Sequence, residues 1–225
     1  MGNSLEYYQK SVLLKALPLS EKVVEAFYQH PRHLFVPEYT LEEAYADHPL
    51  VLYNQPPFTS TISQPSFVLR ILDLLKLAEG QKVFELGTGS GWNTAMMAFL
   101  VGPTGRVVSV EVIPELAQRA AEILQLRELT NVIVRAGDGF EGAPDKAPFD
   151  RVIFTAGSHE FPFRVFTQLK EDGWMVFVRK TPGIHDTLEL IHKLNGQPHV
   201  VTSVPCSFVS VVRQKGGLDS KDSHP

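Results

Sequence analysis

Three short segments carry groups that could hold a small ligand. Residues 83–92 read VFELGTGSGW: an apolar strand places Glu85 near its end, then runs into Gly87, Thr88, Gly89, Ser90 and Gly91. A strand that opens into a glycine-rich turn and then a helix presents free backbone N–H groups at the helix N-terminus, where small anionic or polar ligands bind readily. Further on, Glu111 closes the run RVVSVEV, a position from which a carboxylate can accept hydrogen bonds from both ribose hydroxyls. Asp138 and Gly139, in AGDGF, end the next strand-like run, where they could pair with an adenine amino group and leave space for its ring. Each signal has a plain structural alternative: a tight turn, a surface charge, an Asx-turn residue. Their joint placement at the ends of three successive strands favours a nucleoside ligand. The dinucleotide fingerprint G-x-G-x-x-G would need glycine at position 92, where pyrophosphate and helix come close, and Trp92 excludes that reading in its simple form.

The elements that must position these groups follow from periodicity. Residues 5–30 have apolar residues at helical spacing, broken near Pro18, with Ser20 as an N-cap for EKVVEAFY, which predicts two leading helices. From Pro31 to Ser63 the chain is proline-rich and aperiodic, the mark of a functional loop region. Pro65–Leu77 reads as a helix, KVFELG as the first strand, and a helix runs from Trp92 to about Leu100. Strands RVVSVEV, NVIVRAG, DRVIFTAG and WMVFVRK then alternate with helices in PELAQRAAEILQL and around FRVFTQLK. TLELIHKL and HVVTSVPCSFVSVV, joined by Asn195 and Gly196, read as a closing antiparallel hairpin. The expected fold is α/β: a doubly wound, mostly parallel seven-stranded sheet with N-terminal helices and a C-terminal antiparallel hairpin. One domain is expected over residues 1–215, with helices and substrate loops in 1–78, the cofactor-binding sheet in 79–215, and a polar tail over 216–225.

Composition narrows the function class. The 225 residues are 44% hydrophobic and 20% charged, enough for a large core, and the formal charge of −4 supplies no basic field for nucleic acid or anionic membrane. No run approaches the roughly 18 apolar residues of a membrane helix. Met1 and Gly2 lack the Ser or Thr that myristoylation would place where Glu6 stands. Cys206 is the single cysteine, which excludes an internal disulfide framework, fits a cytoplasmic setting, and reads as a small strand residue. His185, His192 and His199 recur at equal intervals on a predicted hairpin without a metal-binding pattern, so no metal is expected.

G-x-G-x-G followed by an acidic residue ending the next strand resembles S-adenosylmethionine-dependent methyltransferases, whose ligand has no pyrophosphate to cradle. Across roughly residues 20–213 the chain is similar to the protein-L-isoaspartate (D-aspartate) O-methyltransferase family, through PRHLFVPE, AYADHPL, TISQP, VFELGTGSGWNTA, GDGFEG, APFDRVIFTAG and FTQLKEDGWMVFV. The resemblance implies methyl transfer from S-adenosylmethionine to the α-carboxyl of isoaspartyl residues in damaged peptides; the ester then collapses to a succinimide, part of which hydrolyses to aspartate. Such chemistry needs little acid–base help, because a carboxylate is already the ionised nucleophile at neutral pH, and alignment and water exclusion are the main tasks. By position in TISQP, Ser63 matches the family's active-site serine, with Thr61 and Ile62 beside it near the methyl donor. Ser63 could equally N-cap the helix starting at Pro65. The resemblance adds Asn93 and Val112 to the cofactor-binding set formed by Thr61–Ser63, Glu85, Gly87–Gly91, Glu111, Asp138 and Gly139.

Two departures bear on specificity. NQPPFTS, stiffened by Pro56 and Pro57, replaces a shorter glycine-containing segment and should border the peptide cleft, and Phe208, Val209, Ser210 and Val211 replace the usual Phe-Val-Pro-Leu. The expected partners are peptides or proteins bearing isoaspartate, with no nucleic acid and no membrane, and a monomer is expected. A relative methylating another carboxylate, such as an aspartate side chain in a particular peptide, is the variant reading. An NAD-dependent oxidoreductase is the rival enzyme class, and a cofactor- or peptide-binding adaptor without turnover is the non-catalytic rival.

Overall fold

The computed structural model describes residues 4–213. Ser4 accepts the Tyr7 N–H to cap α1 (Leu5–Ala16), with Glu6 in the first turn and Lys15 in the last, the charge order that suits the helix dipole. α2 (Glu21–Gln29) buries Val23, Ala26 and Phe27 along one face. The stretch without a sequence period is well built. It holds a 3₁₀ turn at Arg32–Phe35, a short helix α3 (Leu41–Tyr45) closed by a Thr40–Glu43 capping box, and an antiparallel hairpin of β1 (Leu50–Gln55) and β2 (Phe58–Ile62). The hairpin leaves no alternating pattern in the sequence because its register shifts between Val51 and Tyr53 and neither arm buries alternate residues. α4 (Pro65–Leu75) starts on proline and packs Val68, Leu69, Ile71, Leu72 and Leu75 inward.

The main sheet contains β3 (Lys82–Leu86), β4 (Arg106–Glu111), β5 (Val132–Ala136), β6 (Phe149–Ser158), β7 (Leu169–Arg179), β8 (Asp186–Leu194) and β9 (Gln197–Cys206). Their spatial order is β5-β4-β3-β6-β7-β8-β9; β5 to β7 pair in parallel, and β8 and β9 are added antiparallel. α5 (Trp92–Val101), α6 (Pro114–Leu126) and the short α7 (Phe163–Thr167) make the crossovers. The doubly wound sheet expected from the alternation is therefore present. Asn195 and Gly196, at φ 52° and 72°, turn β8 into β9 with the left-handed backbone a tight hairpin requires.

Strand alternation sorts the core into two layers. Val83 and Val107 join the layer shared with α1, α2, α4 and α5, while Phe84, Leu86, Val108 and Val110 face the opposite layer with Phe140, Phe154 and Phe177. The first layer runs unbroken from Val12 to Leu190, so the N-terminal helices and the sheet share one core. Two expectations are corrected. α7 spans only five residues, because Leu169 already belongs to β7. The last strand ends at Cys206 rather than near Val212: the chain leaves the sheet edge and lies beside β6, where Val209 O accepts the Gly157 N–H and the Val211 N–H donates to Gly157 O, both at 2.8 Å. The tail expected from Gly216 falls outside the described residues.

Candidate active site

β3 and β6 are neighbours from which the chain winds away to opposite sides, so their carboxyl ends diverge at the topological switch point, where doubly wound sheets bind ligands. A cleft lies there, with about 1010 Å³ of empty space that includes open solvent. Its walls come from the turn after β3, from Glu111–Ile113 at the end of β4, from Gly139, and from Ile153–Ala156 of β6. Phe58–Ser63 and the segment Phe208–Val212 complete the lining.

The turn is held open by specific bonds. Thr155 donates its hydroxyl to Leu86 O at 2.9 Å or Gly87 O at 2.8 Å, and a Cβ at position 87 would stand 2.2 Å from that hydroxyl, so with φ at 92° only glycine fits. The Gly89 N–H donates to Glu111 Oε2 at 2.8 Å, and the Ile113 N–H to Oε1 at 3.1 Å. Glu111 is almost fully buried; burial raises its pKa, against the pull of the surrounding amides of Gly89, Ile113, Val112 and Thr88. A carboxylate offers about four acceptor sites, so two remain for ligand hydroxyls. Asn93 also lines the cleft, with its Nδ2 donating to Glu85 at 2.7 Å and its buried Oδ1 unpartnered among the described residues.

Eleven of the residues singled out from the sequence meet at this cleft: Thr61, Ile62 and Ser63; Gly87, Thr88, Gly89 and Ser90; Asn93; Glu111 and Val112; and Gly139. The structure places the other three elsewhere. Gly91 starts α5 against Ala120 and Leu124. Glu85 shares the face of Val83, which α5 covers, so its carboxylate is wholly buried and accepts from Asn93, from Thr94 at 2.5 Å and from Ser109 at 2.6 Å. Burial there, partly offset by those three donors, pushes the Glu85 pKa up to about 7. Asp138 makes an Asx turn with the Phe140 N–H at 2.9 Å, and its second oxygen meets Arg213 Nε at 3.2 Å, beside the cleft rather than in its wall. Of NQPPFTS, Phe58–Ser60 line the cleft and Asn54–Pro57 do not.

Ser63 is not a helix cap. The cap position of α4 is Gln64, and the Ser66 N–H donates to Asp47 Oδ1 at 3.1 Å, while Asp47 Oδ2 receives the Ser66 hydroxyl and Gln64 Nε2. Ser63 lines the cleft, and its hydroxyl makes no hydrogen bond among the described residues. Arg32, with no exposed surface, donates from Nε to Ala44 O at 2.7 Å and from Nη2 to Ile62 O at 3.4 Å, and its guanidinium lies 4.7 Å from the Trp92 ring centroid. Trp92 in turn donates Nε1–H to His30 O at 2.9 Å, tying the start of α5 to the N-terminal helices. Asp47 and Arg32 stand inside motifs noted above, but no local pattern reports bonds to partners so far along the chain.

Comparison with known proteins agrees with this geometry. The family model described as protein-L-isoaspartate(D-aspartate) O-methyltransferase matches residues 10–216. Protein-L-isoaspartate O-methyltransferase 2 of Archaeoglobus fulgidus is 47% identical over 73% of this chain and 73% of its own length, and the Ignicoccus hospitalis protein-L-isoaspartate O-methyltransferase is 40% identical over 87% and 90%. A solved protein-L-isoaspartate O-methyltransferase superposes with TM-score 0.81 at 30% identity, covering 93% of this chain and 66% of that one. A Plasmodium falciparum structure, titled as a complex with S-adenosyl-L-homocysteine, shares the fold with TM-score 0.78 at 19% identity over 95% of this chain. With its family model matched over nearly the whole described chain and its glycine turn, Glu111 and Ser63 gathered at one cleft, this chain belongs to the protein-L-isoaspartate(D-aspartate) O-methyltransferase family.

Proposed function

We propose that the protein transfers a methyl group from S-adenosylmethionine to the free α-carboxylate of isoaspartyl residues in damaged peptides and proteins. The observation that carries this reading is the cleft's lining: among the described residues Glu111 is its only ionisable group, and Glu111 is tied to two backbone amides. A site without a free acid or base suits a reaction whose nucleophile is already an anion.

The donor set fits the cofactor. Glu111 retains acceptor capacity for two ribose hydroxyls, and the orphaned Asn93 Oδ1 is an acceptor suited to the ammonium of a methionyl group. Gly139 lines the cleft, although the place of its missing side chain is filled by Leu86, whose Cγ would stand 2.5 Å from a Cβ there, and the absence of Lys or Arg from the described lining suits a ligand without phosphates. When bound, the cofactor supplies an electrophilic methyl on a sulfonium. Thr61, Ile62 and Ser63 border that space, and the free Ser63 hydroxyl is assigned to orient the incoming carboxylate by donating to one of its oxygens while the apolar wall of Ile153, Phe154, Val209 and Val211 excludes water. Glu85 acts one layer below, fixing the Asn93 amide.

We read the chain as one domain, supported by its unbroken core layer, and as a cytoplasmic protein acting without nucleic acid, supported by the single cysteine and the net charge of −4. The test is transfer of labelled methyl to two synthetic peptides differing only in isoaspartate or aspartate at one position. Base-labile label on the isoaspartyl peptide alone is expected; label on the aspartyl peptide instead, or cofactor binding with neither labelled, would refute the substrate assignment.

A further inference from the structure

The segment 207–213 is anchored by groups outside the cleft's own chemistry. Lys180, just past the end of β7, donates from Nζ to Asp186 Oδ2 and to Phe208 O, both at 2.7 Å, and the Phe208 N–H donates to the same Asp186 oxygen at 3.2 Å. One ion pair, each side chain only 15% exposed, thus holds both backbone groups of a residue in the cleft wall. Gly157 makes the arrangement sterically possible. A Cβ there would stand 2.9 Å from Lys180 Cγ and Cε, so the lysine stem crosses β6 only because position 157 has no side chain, and the Gly157 backbone binds Val209 and Val211 on either side of Ser210. Phe208 packs on Phe67 of α4, ring centroids 5.9 Å apart, one turn beyond Ser63.

We propose that Lys180 and Asp186 are positioning residues for the peptide substrate: by clamping Phe208 they fix the 207–213 segment as the wall against which the isoaspartyl residue is held in front of Ser63. The inference rests on the peptide-methylating reading above. A largely shielded pair satisfying one carbonyl and one amide of a chain that has left its sheet performs the job the lost strand partner would have done. The cofactor-facing groups, Gly89 and Glu111, are bonded to each other and touch neither clamp residue, so the two halves of the cleft are separable.

Lys180→Met keeps the apolar stem over Gly157 and removes the charge, whereas Lys180→Arg keeps a charged donor. For Lys180→Met the KM for an isoaspartyl peptide should rise about tenfold, the equivalent of one net hydrogen bond, with kcat and the Kd for S-adenosylhomocysteine within about twofold. Lys180→Arg should stay close to wild type, and Lys180→Met/Asp186→Asn should be no worse than the more affected single variant, because both residues act on Phe208. Amide exchange at Phe208 and Val211 should quicken in Lys180→Met, a readout that needs no turnover. An unchanged KM, a parallel loss of cofactor affinity, or equal damage from Met and Arg would overturn the proposal. If the wild-type chain methylates no isoaspartyl peptide, the functional reading fails, and unchanged exchange in Lys180→Met would then overturn the clamp separately.

Discussion

The Ser66 backbone N–H reaches Asp47 at 3.1 Å, so the first turn of α4 is capped from 19 residues upstream and Ser63 takes no part in it. The helix's need for an acceptor and the carboxylate-orienting role proposed for Ser63 thus fall to different residues. That division makes the role of Ser63 separable from stability.

Ser63→Ala is expected to lower kcat at least about tenfold while leaving the Kd for S-adenosylhomocysteine and the melting temperature near wild type. Parallel steady-state kinetics, ligand titration and thermal melts check this. A melting temperature reduced with kcat intact would return Ser63 to a structural role.

Glu111 answers a different question. Glu111→Gln keeps one acceptor oxygen but cannot serve the Gly89 and Ile113 amides and two ligand hydroxyls together. Cofactor affinity should weaken about tenfold, with stability reduced by about 1 kcal/mol for the poorly satisfied amide. Calorimetric titration with S-adenosylhomocysteine would refute the assignment if Kd stayed constant.

Glu85 predicts a pH dependence with a definite sign. Its pKa is about 7 in the folded protein against an ordinary 4.5, so the folded state holds the proton more tightly than the unfolded chain. Its contribution is therefore most favourable below pH 4.5 and is lost as pH rises towards 7, by on the order of 3 kcal/mol. Denaturation of wild type and Glu85→Gln across that window should give a difference that moves in favour of the variant as pH rises, and a flat difference would contradict the account.

Arg32 carries a buried charge with no carboxylate bonded to it among the described residues; burial brings its pKa down to about 9, and its fork bonds Ala44 O and Ile62 O over the face of Trp92. Lysine can neither fork to two carbonyls nor stack flat on indole. Arg32→Lys should cost about 2 kcal/mol in chemical denaturation, and because Ile62 precedes Ser63 it should lower kcat as well. Full stability in this variant would show that the fork does not support the loop.

Much of the cofactor half is legible in the chain itself. β3, α5, β4 and α6 follow from Val-rich runs, a proline at the first turn of a helix and glycines where the backbone must turn; α6 occupies the segment PELAQRAAEILQL expected for it. Glu111 at a strand end was visible for the same reason. Strand endings and turn chemistry depend on residues close in sequence, so local sterics and period decide them.

What only the tertiary structure decided are the partners. Glu85 and Glu111 look alike in sequence, each near the end of a strand beside a turn, yet α5 covers the first and the cleft receives the second. Asp138 is taken by Arg213 from 75 positions away, and Phe208 is held by Lys180 from 28. The β1–β2 hairpin, with its slipped register, had no period to announce it. Chain composition determines which groups can bond and which segments become helix or strand; which carboxylate faces solvent, ligand or lysine is set by the packing of layers, whose contacts join residues with no sequence relation to one another.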